Sequence, residues 1–304
     1  MKLVHRGSTK DVYSSGDHYV FRFSDRYSVF DWGEMPDHLK DKGQSLARFT
    51  KTIYRRLEAK GIRTHFVDVP CAENEMVIRP FEVNRAVPLP QKENIFIPLE
   101  VIFRLGVARG SSLLGRSEGF EELQRFDQPM IEFTTKLERF DRRLSSEEAR
   151  LLTGMNDTEW FNLFRTTSRI ARELGELFDE EGVELWDGKL EFALGERVDG
   201  NREIILVDSI GPDELRLTKG DLLLSKELIR QYYRKSSWYE NLESVKEKFG
   251  TEFKDHIPAP ERLPARFHRS VEAMYALLPD LIGHVPGTGS RLDALVADLR
   301  GAGP

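Results

Sequence analysis

Apolar and polar positions alternate most clearly between Leu185 and Asp208, in LWDGKLEFAL and then EIILVD. Runs of Ile, Leu, Val and Phe flank the polar stretch GERVDGN, the pattern of two strands joined by a turn. The period of two sets Asp187, Lys189 and Glu191 on one face and Gly188, Leu190 and Phe192 on the other. The second strand is almost wholly apolar until Asp208. Two readings fit. One is a wet sheet face, common in antiparallel sheets. The other is a carboxylate pair, Glu191 and Asp208, holding Mg²⁺ and through it phosphate oxygens.

The opening LVHRGSTKDVYSSGDHYVFRF predicts a short strand, a bend at Gly7, Ser8, Thr9 and Lys10, and a hairpin turning at SSGD. Glycine allows close backbone approach, and hydroxyls with an ammonium can meet phosphate oxygens; an ordinary surface turn has the same pattern. FSDRYSVFDWGEMPDHLKDKG lacks either periodicity and is expected to be a long ordered loop. A helix is predicted from Ser45 to about Lys60, with Leu46, Phe49, Ile53, Tyr54 and Leu57 on its buried face and Gly61 as its stop. HFVDV, EMVIRPFEV and IPLEVIFRL read as strands, so the first half is mainly β.

Beyond Arg104, GVARGSSLLGR sets Ser111 and Ser112 between Arg109 and Arg116. Freed amides, hydroxyls and guanidinium forks suit a phosphate monoester; a serine-capped helix start fits equally. MIEFTTKLERFD then predicts a strand followed by Lys136 and Asp141, and a serine precedes EE. Asp157 or Thr158 is the expected cap of a helix running to about Glu180, with Phe161, Phe164, Ile170, Leu174, Leu177 and Phe178 buried. LSKELIRQYYR and SVKEKFG read as helical, and the tail as two helices, VEAMYALLPDLIG and LDALVADLR.

Composition narrows the picture. With 304 residues, 32% charged and 39% hydrophobic, the chain can bury a sizeable core as one large unit or two lobes. The net charge of -6 and the lack of a basic block argue against a general nucleic-acid binder. A single cysteine, Cys71, forms no internal disulfide and suggests a reducing compartment. Neither a signal segment nor a membrane-spanning run is evident, and a cytoplasmic protein is expected. The seven histidines lack metal-ligand spacing, and neither a nucleophile elbow nor a Walker-type loop occurs.

Taken in order, several stretches resemble the SAICAR synthetase family of purine biosynthesis over roughly the first 240 residues. They are RGSTKDVY, FSDRYSVFD followed by KG, PLEVIFR with RGSS, TTKLERFD, LWDGKLEF, VDSIGPDELR and RQYYR. The resemblance implies an α+β, two-lobed fold, with a β-rich kinase-like amino-terminal lobe, a mixed α/β ATP-grasp-like second lobe and the active site in the cleft. The boundaries implied are 1–98, 99–250 and a helical tail, 251–304, packed on the second lobe. It implies an ATP-dependent ligase joining carboxyaminoimidazole ribonucleotide to L-aspartate through a carboxyl phosphate, with ATP and Mg²⁺ as cofactors.

By the same resemblance, Lys10, Lys136, Asp187 and Lys189 are catalytic. Gly7, Ser8, Thr9, Lys10, Arg79 and Glu100 contact the nucleotide, and Glu191 and Asp208 hold the metal. Arg104, Ser111 and Arg216 hold the ribonucleotide 5′-phosphate, with Asp187 and Lys189 on its ribose or imidazole. Gln231 and Arg234 are further substrate candidates, and Asp31 and Asp141 candidates for the aspartate pocket. The partners implied are small molecules, with no nucleic acid and no membrane.

The chain departs from the family's usual pattern at four places. Ser8 stands where a second lysine is usual, and Phe140 where a histidine is frequent. Ser209 follows Asp208 where a glutamate is common, and Glu214–Leu215 replaces small or hydroxylated residues before Arg216. These changes leave open a related carboxylate–amine ligase with another imidazole or nucleoside substrate. A nucleotide-binding regulator without catalysis is the reading from a different class.

Overall fold

The computed structural model describes residues 1–116, 118–138 and 141–302, so Phe140 lies outside the described residues. The chain divides into two units that interleave in sequence. The first comprises Met1–Phe49, Val69–Val77 and Lys219–Pro304, the second Thr50–Asp68 and Ile78–Thr218. This division is discontinuous, in contrast to the three consecutive segments expected from the sequence.

The elements follow the predicted order. The first are β1 (Lys2–Arg6), β2 (Lys10–Ser15), β3 (His18–Phe23), α1 (Lys42–Ala59), β4 (Phe66–Val67), β5 (Glu75–Ile78), β6 (Ile95–Phe96) and β7 (Leu99–Gly106). Next come β8 (Arg125–Thr135), β9 (Arg143–Leu144), α2 (Ser146–Thr153), α3 (Asp157–Asp179), β10 (Glu184–Val198) and β11 (Asn201–Val207). The last are β12 (Leu215–Lys219), β13 (Leu222–Leu223), α4 (Glu227–Arg234), α5 (Ser237–Phe249), α6 (Ala265–Ile282) and α7 (Thr288–Ala302).

In the first unit, β1, β2 and β3 form an antiparallel meander. Gly7 makes the bend before β2: its N–H donates to the Lys10 carbonyl at 3.0 Å, and a Cβ there would lie 2.5 Å from that oxygen. Only glycine fits. The 24–41 segment is a loop, as expected, anchored by the buried side chains of Tyr27, Val29, Met35 and Leu39 and by polar contacts. Tyr27 donates to Asp37 at 2.5 Å, and Asp37 also accepts from the Leu263 N–H at 3.0 Å. Glu272 and Asp280 of α6 hold the Lys40 N–H at 2.7 Å and Arg48 at 2.6 Å. The tail helices thus belong to the first unit, fastened to the loop and the start of α1.

In the second unit, the strands lie in the order β12-β10-β7-β8-β9, and β11 and β6 also pair with β10. β10 is the shared strand. Its first half bonds β7 and β12, its second half β11 and β6, all antiparallel. The predicted hairpin is present, but its strands run further, leaving only Asp199–Gly200 as the turn. α3 packs on this sheet. Its cap is Asn156 rather than Asp157 or Thr158: the Asn156 side chain accepts from the Glu159 N–H, and Glu159 reaches back to the Asn156 N–H. Phe161 is 64% exposed and does not belong to the buried stripe, which runs through Leu163, Thr167, Ile170, Leu174 and Phe178. Steps of three and four residues from Leu163 miss position 161. Phe133 meets the rings of Trp160 and Phe164 at 5.0 and 5.5 Å, closing the core between β8 and α3.

Candidate active site

Register brings the charged residues together. Residues directly opposite in an antiparallel sheet point the same way. Asp187 of β10 faces Arg104 of β7 and Arg216 of β12, while Lys189 faces Ile102. Ile102 in turn faces Glu132 of β8, and Glu100 faces Thr134. One sheet face therefore carries Glu132 and Thr134, then Glu100, Ile102 and Arg104, then Asp187, Lys189 and Glu191, then Arg216. Half-buried Ile102 separates a lysine-rich end from an arginine-rich end. The opposite face of β10 is core: a Cβ on Gly188 would lie 2.6 Å from atoms of Phe103 and Leu215.

At the lysine end, Glu100 is buried and accepts from Lys189 at 2.6 Å, Lys136 at 3.0 Å and Thr134 at 3.2 Å. Lys136 also meets Glu191 at 2.6 Å. Burial would raise the Glu100 carboxyl, but the two lysines outweigh it and hold it below its usual range. Glu191 goes the other way. Burial and then the Asp208 charge push it up, with Lys136 and Lys189 pulling against them. Burial would lower Lys136, yet Glu191, Glu100 and Asp208 raise it, so it stays a cation.

This end holds three carboxylates, Glu100, Glu191 and Asp208, against two ammonium groups. A buried carboxylate repelled by its neighbour is stabilised by a divalent cation between them, and the donors are the hard oxygens Mg²⁺ prefers. The residues fit that ion. Among the described residues no cluster of three or more His, Cys, Asp or Glu suited to a metal occurs.

The arginine end has the opposite balance. Glu132 accepts from Arg104 at 2.6 Å, from Arg116 at 2.7 Å and from Arg143. Burial would raise its carboxyl, but hydrogen bonds from Arg116, Arg104 and Arg143 hold it at about 2. Asp187 lies between Arg104 at 3.4 Å and Arg216 at 3.6 Å. The Arg216 Nη1 is buried without a hydrogen-bond partner. Four guanidinium groups thus face two carboxylates, and the buried Arg216 Nη1 meets Asp187 only beyond hydrogen-bond distance. That surplus suits a phosphate monoester.

The remaining expected residues are spread across the two units. Ser111 is buried, but its hydroxyl oxygen accepts from the Leu113 N–H at 3.3 Å; Ser112 is the serine that touches Arg104, at 3.3 Å. Arg79 donates to the Thr64 carbonyl at 2.5 Å, and Asp141 is exposed. In the first unit, Lys10 lies 5.0 Å from the Phe21 ring centroid, Ser8 is exposed and Thr9 half-buried. Asp31, with φ +56°, pairs with Lys246 at 3.2 Å. Arg234 pairs with Glu227 and lies over Phe30 at 5.6 Å, while Gln231 is exposed on the same helix.

Glu132 and Arg143 were not foreseen, and Arg116 was noted only as a flank of the serine pair. The signal for Glu132 was present: Glu132, Thr134 and Lys136 recur at a spacing of two, as Asp187, Lys189 and Glu191 do. Arg143 has no such signal, because it arrives by the pairing of β9 with β8.

Comparison with known proteins identifies the family. The family model described as SAICAR synthetase matches residues 3–248. A relative from Archaeoglobus fulgidus is 33% identical over 312 residues, spanning 92% of each chain. The phosphoribosylaminoimidazole-succinocarboxamide synthase of Thermoplasma acidophilum is 33% identical over 294 residues, 90% of this chain and 97% of its own. A solved SAICAR synthetase in complex with ADP superposes with a TM-score of 0.61 at 25% identity, over 85% of this chain and 99% of that one. This chain belongs to the SAICAR synthetase family.

Proposed function

We propose that this protein is an ATP-dependent ligase that condenses carboxyaminoimidazole ribonucleotide with L-aspartate, giving SAICAR, ADP and phosphate in purine biosynthesis. Family membership and the ADP complex of a solved relative support it. The structural observation that carries it is the pair of oppositely charged centres on one sheet face. The ATP γ-phosphoryl passes to the substrate carboxylate and ADP leaves. The aspartate amine then attacks the carbonyl carbon, phosphate departs, and the nitrogen gives up its proton.

Such a route asks for fixed charge more than for a protein nucleophile. Lys136 and Lys189, gripped by Glu100, balance negative charge on the moving phosphoryl group. Glu191 and Asp208 would hold Mg²⁺, which would neutralise charge developing on the phosphoryl group. Arg104, Arg116 and Arg216 are assigned to the ribonucleotide phosphate, with Ser111, Ser112 and Asp187 beside them. In the first unit, Gly7, Ser8, Thr9 and Lys10 are assigned to the ATP phosphates. Arg79 stays a nucleotide candidate. Asp31 and Asp141 stay candidates for aspartate, Gln231 and Arg234 for substrate. Purine synthesis and the exposed free thiol of Cys71 favour the cytoplasm. Among the described residues no helix is long and apolar enough to cross a membrane.

One departure from the family pattern loses its force as a sign of altered specificity. Leu215 is 3% exposed and packs towards Gly188, on the core side of β10. ADP release by the purified protein tests the whole reading. Turnover is expected only when the ribonucleotide, aspartate and MgATP are all present. Turnover with a different amine, and none with aspartate, would overturn the substrate assignment.

A further inference from the structure

The backbone just after β11 holds a concentration of buried donors that the reaction does not itself use. Asp208 has φ +67°, a left-handed conformation uncommon for a residue with a Cβ. Its carbonyl oxygen accepts from the Tyr54 hydroxyl at 3.0 Å and from His65 Nε2 at 2.9 Å. The Tyr54 hydroxyl also lies 3.1 Å from the Val207 carbonyl, and Thr50 donates to the Ile210 carbonyl at 3.0 Å. Tyr54 and Thr50 are fully buried, and His65 is 2% exposed.

His65 is itself fixed on both sides. Its N–H donates to the Leu206 carbonyl at 3.0 Å, and its carbonyl accepts from the Arg79 N–H at 2.8 Å. Its ring meets that of Tyr54 edge-on at 5.9 Å. A carbonyl can only accept, so Nε2 carries the hydrogen. Tyr54 lies on α1 and His65 directly precedes β4, so two separate elements converge on one peptide group.

We propose that Tyr54 and His65 are positioning residues, whose paired hydrogen bonds to the Asp208 carbonyl hold the left-handed turn that sets the Asp208 carboxylate beside Glu191. The proposal rests on the reading of Glu191 and Asp208 as the metal pair. The two residues act on the metal through the backbone and touch neither substrate nor ion. Their effect therefore falls on divalent-ion affinity and leaves the arginine end of the sheet face alone. Partners of this kind typically contribute about tenfold in metal affinity.

The test uses the full-length protein with ADP, and Mn²⁺ binding followed by electron paramagnetic resonance. Tyr54→Phe removes one oxygen atom, and His65→Leu removes the donor while keeping bulk. Each is expected to weaken Mn²⁺ binding by roughly tenfold. The KM for the ribonucleotide should stay within about twofold, and His65→Gln, which restores an N–H donor, should recover most of the affinity. Wild-type Mn²⁺ affinity in a folded Tyr54→Phe protein would overturn the proposal. So would equal losses in Mn²⁺ and ribonucleotide affinity, which mark a general structural defect. Asp208→Asn separates the two levels. If it weakens Mn²⁺ binding and Tyr54→Phe does not, only the positioning role fails; if it leaves Mn²⁺ binding unchanged, the metal pair and the positioning role fail together.

Discussion

The two ends of the charged sheet face share β7, β8 and β10, yet they differ in the sign of their surplus. At one end carboxylates outnumber ammonium groups; at the other, guanidinium groups outnumber carboxylates. The choice of cation follows the task. A lysine is a compact point charge that can follow a phosphoryl group as it moves, whereas an arginine fork grips a phosphate whose position stays fixed. The proposed function accordingly gives the lysine end to the reacting atoms and the arginine end to the handle of the ribonucleotide. Substitutions at the two ends should then fail in different kinetic parameters.

The sharpest separation comes from Lys136→Met. The change keeps much of the side-chain volume and removes the cation between Glu100 and Glu191. The kcat is expected to fall by about 100-fold or more, with the ribonucleotide KM nearly unchanged. Steady-state kinetics with each substrate varied in turn would show it. A raised KM at normal kcat would assign Lys136 to ground-state binding and erase the contrast. Arg216→Met probes the other end. Arg216 meets Asp187 only at 3.6 Å, beyond hydrogen-bond distance, and Arg104 still pairs that carboxylate, so the fold should be little affected. The ribonucleotide KM should rise by roughly 10- to 100-fold, the size of a lost charge-assisted contact, with kcat largely kept.

How much of this was legible in the chain depended on the range of the contact involved. The alternation of Asp187, Lys189 and Glu191 is local, so it showed both the strand and its charged face. Asp208 was visible because a polar residue ends an apolar strand, and Lys136 came with the family motif TTKLERFD. The arginine cluster was half visible: Arg104 and Arg216 came with the family motifs, but Glu132, which three arginines share, depends on pairing between β7, β8 and β9. Tyr54 sits correctly on the apolar stripe of α1, yet that stripe cannot reveal what its hydroxyl reaches. His65 looked like the start of a plain strand. Asn156 is a different kind of miss, since Asn followed three residues later by Glu is a local capping signal.

Glu132 gives the comparison a pH axis. Its carboxyl sits at about 2 against an ordinary 4.5, because Arg116, Arg104 and Arg143 stabilise its ionised form in the fold. A depressed carboxyl adds stability that is fully present above the unfolded value and is lost as pH falls toward the folded one. Glu132→Gln should therefore destabilise the protein near neutrality, by on the order of 2 kcal/mol once solvent screening is allowed for. The deficit should shrink between about pH 4.5 and pH 2, where the wild type loses the same interaction. Urea melts of both proteins across that range would measure the difference. A deficit that stays constant with pH would mean that Glu132 acts by shape and not by charge.

The smallest effect is expected at Arg143, and it tests whether the arginine surplus acts as a field or as a set of contacts. Arg143 reaches the same carboxylate as Arg104, but its side chain is 52% exposed against 8% for Arg104. An exposed charge contributes little to a fixed contact, and salt screens it over about 8 Å at physiological ionic strength. Arg143→Gln should therefore raise the ribonucleotide KM by only about two- to threefold at low salt. At roughly 0.5 M salt the variant and the wild type should become indistinguishable, because the lost attraction is already screened. The salt series, with kcat recorded alongside, is the measurement. A large increase that persists in high salt would place Arg143 in direct contact with the phosphate, and the arginine end would then grip its ligand with an exposed residue as well as its buried ones.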